Sequence, residues 1–185
     1  MKKLPRITEF DGLRGLLAWW VVASHLLYNS GFGTGSEQNI FLRLLRNGRY
    51  PVDVFIILSG FVIFFLLEYR QETYRAFILR RFFRLYPVYI VCFLISLLIA
   101  DISIHNMESL PWSSELTDYI ARAKQEKQYY WQHILAHSLM LHGIFPNELL
   151  PNSTNAFLSP AWSISLEWQF YLVAPFIFIS LKRSP

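Results

Sequence analysis

Hydrophobic and polar positions alternate along this chain in long blocks rather than with a short period. The first apolar run spans about Gly12 to Tyr28 and is followed by a turn-rich Asn29-Ser30-Gly31-Phe32-Gly33-Thr34-Gly35. The second runs from Val52 to Leu67 and ends at Glu68, and the third extends from Leu85 to Ala100 and closes at Asp101. A polar stretch carrying Arg70, Arg75, Arg80, Arg81 and Arg84 separates those two. The segment from Asp101 to Gln132 mixes charges and reads as an extramembrane loop with some helix. A short apolar piece, Ile134 to Phe145, precedes a Pro/Asn/Ser loop, and the last run covers Ala161 to Leu181 before Lys182 and Arg183. Spanning a bilayer takes about 20 apolar residues of helix. Runs slightly shorter than that are accommodated by tilt, snorkelling aromatics or burial in a bundle. The blocks therefore predict an all-α, polytopic transmembrane helix bundle with about 4–5 membrane segments. There is no internal repeat and no low-complexity tract.

Composition strengthens this reading. Hydrophobic residues make up 54% of the 185 and charged residues only 16%, against about a quarter charged in soluble domains. The excess apolar side chains have lipid as their natural solvent. A net charge of +4 would suit a nucleic-acid partner, but the basic residues cluster at the ends of apolar runs, where they orient a membrane protein. No nucleic acid is expected. Lys2, Lys3 and Arg6 before the first run, and the arginines between the second and third, belong on the cytoplasmic side of a cell (inner or plasma) membrane. The Asp101–Gln132 loop is net acidic and suits the outside. Lys182 and Arg183 also prefer the inside, which conflicts with simple counting if Ile134–Phe145 crosses. A crossing and a re-entrant turn both remain open for that piece. Asp11 and Arg14 interrupt any signal-peptide pattern, so the first run is expected to stay as a helix. One cysteine, Cys92, excludes an internal disulfide and a CxxC motif.

Ionisable groups inside apolar helices are expensive, by at least about 2.5 kcal/mol on insertion scales, and are functional candidates by default. The first helix carries Arg14 and His25. Eleven positions at 100° each return to within about 20°, so both face one side, roughly 16 Å apart along the axis. The bland alternatives are a snorkelling Arg14 and an interfacial His25 bonded to a carbonyl. In Arg80-Arg81-Phe82-Phe83-Arg84, the i, i+3 and i, i+4 spacings let one face present two guanidiniums, which bind phosphates bidentately. An ordinary positive flank is the alternative. Near the end, Ser159 is placed to cap a helix with Pro160 in its first turn. Ser163, Glu167 and Tyr171 then recur at i, i+4, i+8 as a polar stripe that needs partners inside a bundle. His133, His137 and His142 invite a metal reading, but no HExxH or third ligand at a known spacing accompanies them, and no metal is expected. Ser59 lacks the GxSxG elbow and suits close helix packing.

Taken in order, these segments resemble the acyltransferase 3 family of multi-pass membrane acyltransferases. The resemblance rests on Phe10-Asp11-Gly12-Leu13-Arg14-Gly15-Leu16 through Ser24-His25 (an Arg-x10-His motif) and on Val52-Asp53-Val54-Phe55-Ile56-Ile57-Leu58-Ser59-Gly60-Phe61. Arg80-Arg81-Phe82-Phe83-Arg84-Leu85-Tyr86-Pro87 and Trp162-Ser163-Ile164-Ser165-Leu166-Glu167-Trp168-Gln169-Phe170-Tyr171 complete it. Trp168 stands where the family usually has a second glutamate, and Pro51 where a glycine is common. The chain is shorter than family members, so residues 1–185 look like the N-terminal, incomplete part of a membrane acyltransferase domain. The resemblance implies O-acylation, most simply acetylation, of a hydroxyl on a cell-envelope carbohydrate or glycolipid such as lipopolysaccharide. Acyl-CoA (acetyl-CoA) would be the donor substrate, with no tightly bound cofactor. Arg81 and Arg84, with Arg80 in reserve, would hold the coenzyme's phosphates. His25 would act as general base or carry the acyl group, Arg14 would steady the donor or developing charge, and Glu167, Asp11 and Asp53 would orient His25 or pair with arginines. Ser163 and Tyr171 would support the site. The rivals are a transporter or channel subunit using Arg14, His25 and Glu167 as an ion path, and an inactive scaffold.

Overall fold

The computed structural model describes residues 8–30, 39–70, 72–111 and 113–183. Every regular element among them is helical, in agreement with the all-α expectation. They fall into two compact units, residues 1–71 and 72–185. The basic flank Lys2, Lys3 and Arg6 and the turn expected over residues 31–35 lie outside the described residues. Among the described residues, three helices are long and apolar enough to cross a membrane: Arg49–Tyr69, Tyr74–Glu108 and Ser159–Arg183. That is fewer than the expected count, for two reasons. The first helix has the length, but Arg14, His25 and two tryptophans dilute its apolar character. The Ile134–Phe145 piece forms only a nine-residue helix and a short 3-10 turn, and nine residues rise about 14 Å, less than half a bilayer core.

The first unit contains α1 (Thr8–Asn29), α2 (Ile40–Arg46) and α3 (Arg49–Tyr69). Glu9 and Asp11 in the first turn of α1 oppose the positive end of its dipole. Leu17 and Ser24, two turns apart, are the buried positions of α1, and Val52, Ser59 and Ile63 form the buried stripe of α3. Phe10 meets Phe61 edge-on at 5.6 Å. The seven-residue α2 is too short to announce itself by period. Asn39 fixes its start, accepting from Phe41 N–H (3.0 Å) and Leu42 N–H (3.2 Å), and the Trp20 indole N–H donates to the Leu44 carbonyl at 3.2 Å. Gly48 sits so close to Ser24 that a Cβ there would meet the serine hydroxyl. A bare backbone is what lets the turn before α3 pass α1.

The second unit is laid out along α4 (Tyr74–Glu108), a continuous 35-residue helix about 52 Å long. The sequence pattern divided this region into a polar stretch and an apolar run, but both are one rod. Thr73 caps it by accepting from Ala76 N–H at 3.3 Å, and Pro87 inside it leaves the Phe83 carbonyl without its usual helical donor. The chain returns along α4 in two stages. First come α5 (Thr117–Glu126) and α6 (Tyr130–Ser138), beside the C-terminal half of α4. Lys124 pairs with Glu108 at 2.5 Å, Lys127 pairs with Asp101, and His137 reaches Tyr89. Then α7 (Trp162–Arg183) runs antiparallel beside the N-terminal half, with Phe82 against Trp168, Phe77 against Tyr171 and Tyr74 against Phe176. Ser159 does not cap α7. Its hydroxyl bonds Asn155, and a 3-10 turn over Ser159–Ala161 precedes the helix.

The link between α6 and α7 is pinned from several sides. The buried Glu126 carboxylate accepts from the Asn152 amide and from Phe157 N–H, and Phe157 has a left-handed φ of 55°. Ser165 donates to the Met140 carbonyl at 2.8 Å and accepts from Gly143 N–H at 3.0 Å. Between these anchors His133, His137 and His142 are fully buried. The His137 and His142 rings stack at 3.9 Å, and Phe93 also stacks on His137, at 5.0 Å. His137 Nε2 lies 3.2 Å from the Ser153 carbonyl and His142 Nε2 3.2 Å from the Ala161 carbonyl. A carbonyl only accepts, so both nitrogens carry the proton and each ring is held as one neutral tautomer. Burial pushes His137 down to about 3 and His142 to about 4, and it lowers His133 as well.

Two measurements test this packing. Gly48→Ala should lower the apparent Tm of the detergent-solubilised protein, in line with overpacking costs of about 1–3 kcal/mol, and adding Ser24→Ala should restore much of the loss. Equal instability of the single and double variants would remove the close approach as the cause. For the histidines, an unfolded chain takes up protons below the ordinary value of 6.5 that the folded stack refuses until about pH 4 for His142 and about pH 3 for His137. Stability present above pH 6.5 is therefore lost as the pH falls through that window. Glu126, whose carboxyl is raised by burial, opposes this as one group against three. Thermal melts should drop by several degrees between pH 7.5 and 5, and His142→Gln should flatten the decline. A pH-independent Tm would contradict the neutral stack.

Candidate functional site

The residues singled out for chemistry fall into two groups, one in each unit. In the second unit they lie where the first turns of α4 meet α7. Arg80, Arg81 and Arg84 occupy one and a half turns of helix yet have three different surroundings. Arg80 is half-exposed, with a side chain 51% accessible, and pairs with the better buried Glu72 just ahead of the helix. Arg84 is exposed. Arg81 is 9% exposed, and its guanidinium carbon lies 5.5 Å from the centre of the Phe77 ring and 5.6 Å from that of Tyr171. Cations held over aromatic faces at such distances are attracted by the ring quadrupole, more so when desolvated.

Tyr171 carries the contact onward. Its hydroxyl donates to the Glu167 carboxylate one turn earlier on α7, so two members of the expected polar stripe do share a face. Ser163 does not join them, because its hydroxyl bonds back to the Pro160 carbonyl at 3.4 Å. Trp168, at the position where the resemblance would have a second glutamate, is buried against Phe82 at 5.8 Å and serves packing between α4 and α7. The arrangement offers an exposed guanidinium, a second guanidinium in an ion pair, and a buried cation joined through a phenol to a carboxylate. Exposed guanidiniums suit anion recognition, and a hydrogen-bonded carboxylate suits orientation or proton handling.

In the first unit, Arg14 and His25 lie on one side of α1, separated by three helical turns. That side borders the buried line of Leu17 and Ser24 rather than coinciding with it, so Arg14 is half-buried and His25 exposed. Asp11 in the first turn of α1 and Asp53 one turn into α3 are exposed. An imidazole in this position is available to a reactant, which a core histidine is not.

The three buried histidines form the polar cluster that sequence reasoning underrated. Their i, i+4 spacing was visible, but the stack depends on Tyr89 and Phe93 some forty residues earlier. Among the described residues no group of three His, Cys, Asp or Glu side chains is placed to hold a metal ion. His137 already uses both ring nitrogens, on Tyr89 and Ser153.

Comparison with known proteins agrees with the motif order. The chain is 26% identical over 185 residues, 99% of its own length, to acyltransferase MdmB of Streptomyces mycarofaciens. It spans 42% of the length of that relative, and no solved structure matches it. Residues 7–185 match the acyltransferase domain family, Acyl_transf_3, and the chain belongs to that family.

Proposed function

We propose that this chain is the N-terminal part of a multi-pass membrane O-acyltransferase of the cell membrane. It moves an acyl group, most simply acetyl, from acyl-CoA to a hydroxyl of a cell-envelope carbohydrate or glycolipid. The observation that carries this reading is the continuity of α4. Arginines at its N-terminal end lead without a break into a helix able to cross a membrane, so an anionic donor held there lies at the edge of an apolar layer. Family membership and the acyltransferase relative support the reaction class.

In this reading Arg84, with Arg80 once it leaves Glu72, reads the phosphates of coenzyme A through charge-assisted hydrogen bonds. His25 takes the proton of the acceptor hydroxyl. The hydroxyl oxygen attacks the thioester carbonyl, the C–S bond breaks, and the thiolate of coenzyme A leaves and is protonated, so an ester and free coenzyme A result. Arg14, three turns away on the same side of α1, steadies the anionic donor rather than the reacting carbonyl, and Asp11 and Asp53 are the carboxylates of that unit able to orient the imidazole. Transient acylation of His25 is the alternative route through the same residue.

The test is transfer of labelled acetyl groups from acetyl-CoA to envelope glycans in membranes containing the whole protein. His25→Ala should lower transfer by about 100-fold or more, and Arg84→Ala should raise KM for acetyl-CoA by about 10-fold or more. Undiminished transfer by His25→Ala would remove the general-base assignment. Ion flux without acyl-CoA turnover would replace the enzyme with a transporter.

A further inference from the structure

The three arginines of α4 are not equivalent. We infer that Arg81 is a positioning residue that locks the Tyr171–Glu167 pair, rather than a ligand for the donor's phosphates. A phosphate reader needs the N–H edge of its guanidinium open to an incoming anion. Arg84 is exposed and Arg80 half-exposed, whereas Arg81 is 9% exposed and its Nε is buried. Its guanidinium sits in a corner made by the Phe77 and Tyr171 rings, which meet at 79° with centres 6.4 Å apart. Both rings hold the cation at nearly the same distance, 5.5 and 5.6 Å, so it is lodged between them rather than resting on one.

The lodging has a consequence on α7. Tyr171 is held by Arg81 on its ring and by Glu167 through its hydroxyl. With the ring plane fixed, the O–H points along one direction, and the carboxylate it serves keeps one rotamer. A buried cation and a nearby carboxylate also lower each other's desolvation penalty, and here Tyr171 touches both. Arg81 thereby acts on Glu167 through Tyr171 without touching a substrate.

The inference rests on the proposed acyl transfer only for what Glu167 does, so its test has one arm that needs no turnover. In thermal melts of the purified, detergent-solubilised whole protein, Arg81→Ala and Tyr171→Leu should each lower Tm. The double variant should fall little further than the worse single, while Arg84→Ala combined with Tyr171→Leu should be additive. Additive losses for Arg81 and Tyr171 would overturn the coupling. In the second arm the probe is unacylated coenzyme A, with binding measured by calorimetry. Arg84→Ala should weaken it by about 10- to 100-fold, whereas Arg81→Lys should leave Kd within about threefold and lower kcat at unchanged KM for acetyl-CoA. Equal weakening by both variants would return Arg81 to the phosphates. A wild-type protein that binds no coenzyme A would sink the donor reading alone, leaving the melts to decide the role of Arg81.

Discussion

A charged side chain on a helix that enters an apolar layer must find compensation within a turn or two, and the second unit is organised by that requirement. α4 is one helix of 35 residues, so its arginine-bearing turns cannot swing away from its apolar run. Glu72 ahead of the helix, the aromatic corner of Phe77 and Tyr171, and the open surface at Arg84 are three answers to the same problem. The aromatic seam with α7 follows from the second answer. Phe77 and Phe82 face Tyr171 and Trp168 because the helices must approach closely enough to enclose Arg81.

Where compensation is absent, neutrality takes its place. α6 and the link to α7 bury three imidazoles, and among the described residues none of them hydrogen-bonds a carboxylate. His137 and His142 are instead held neutral by donating to backbone carbonyls and stacking on Phe93 and each other. Neutral imidazoles serve here as flat, polar-edged packing units. They satisfy carbonyls of a loop with left-handed turns at Met140, Asn152 and Phe157, whose backbone groups lack the regular partners of a helix.

Much of this was legible in the sequence, and what was not had physical causes. The apolar runs placed α3, the C-terminal half of α4 and α7, and the i, i+4 spacing of Glu167 and Tyr171 placed two polar groups on one face. The extent of α4 was not legible, because a block of arginines interrupts hydropathy without interrupting helix formation. Arginine is a good helix former, and Thr73 supplies a cap ahead of the block. The span count was only approximate in the sequence, because an apolar stretch such as Ile134–Phe145 does not report that it folds as a nine-residue helix and a 3-10 turn, with Leu135, Leu139 and Ile144 turned outward. The histidine stack was hidden because its other half comes from a distant part of the chain, and no local period reports such pairing.

The difference between Arg81 and its neighbours was also beyond sequence reading, and it limits what a motif can say. Arg80, Arg81 and Arg84 share one residue type, one helix and one motif, so pattern alone gives them one role. Their surroundings separate them through geometry fixed elsewhere: Glu72 stands before the helix cap, and Tyr171 arrives from α7 with its hydroxyl engaged by Glu167. A guanidinium held between two rings and 9% exposed offers an incoming anion little open edge. The exposed Arg84 faces no such barrier. Burial therefore divides a run of like charges into a part that holds the protein's own carboxylate in place and a part that remains available to a ligand.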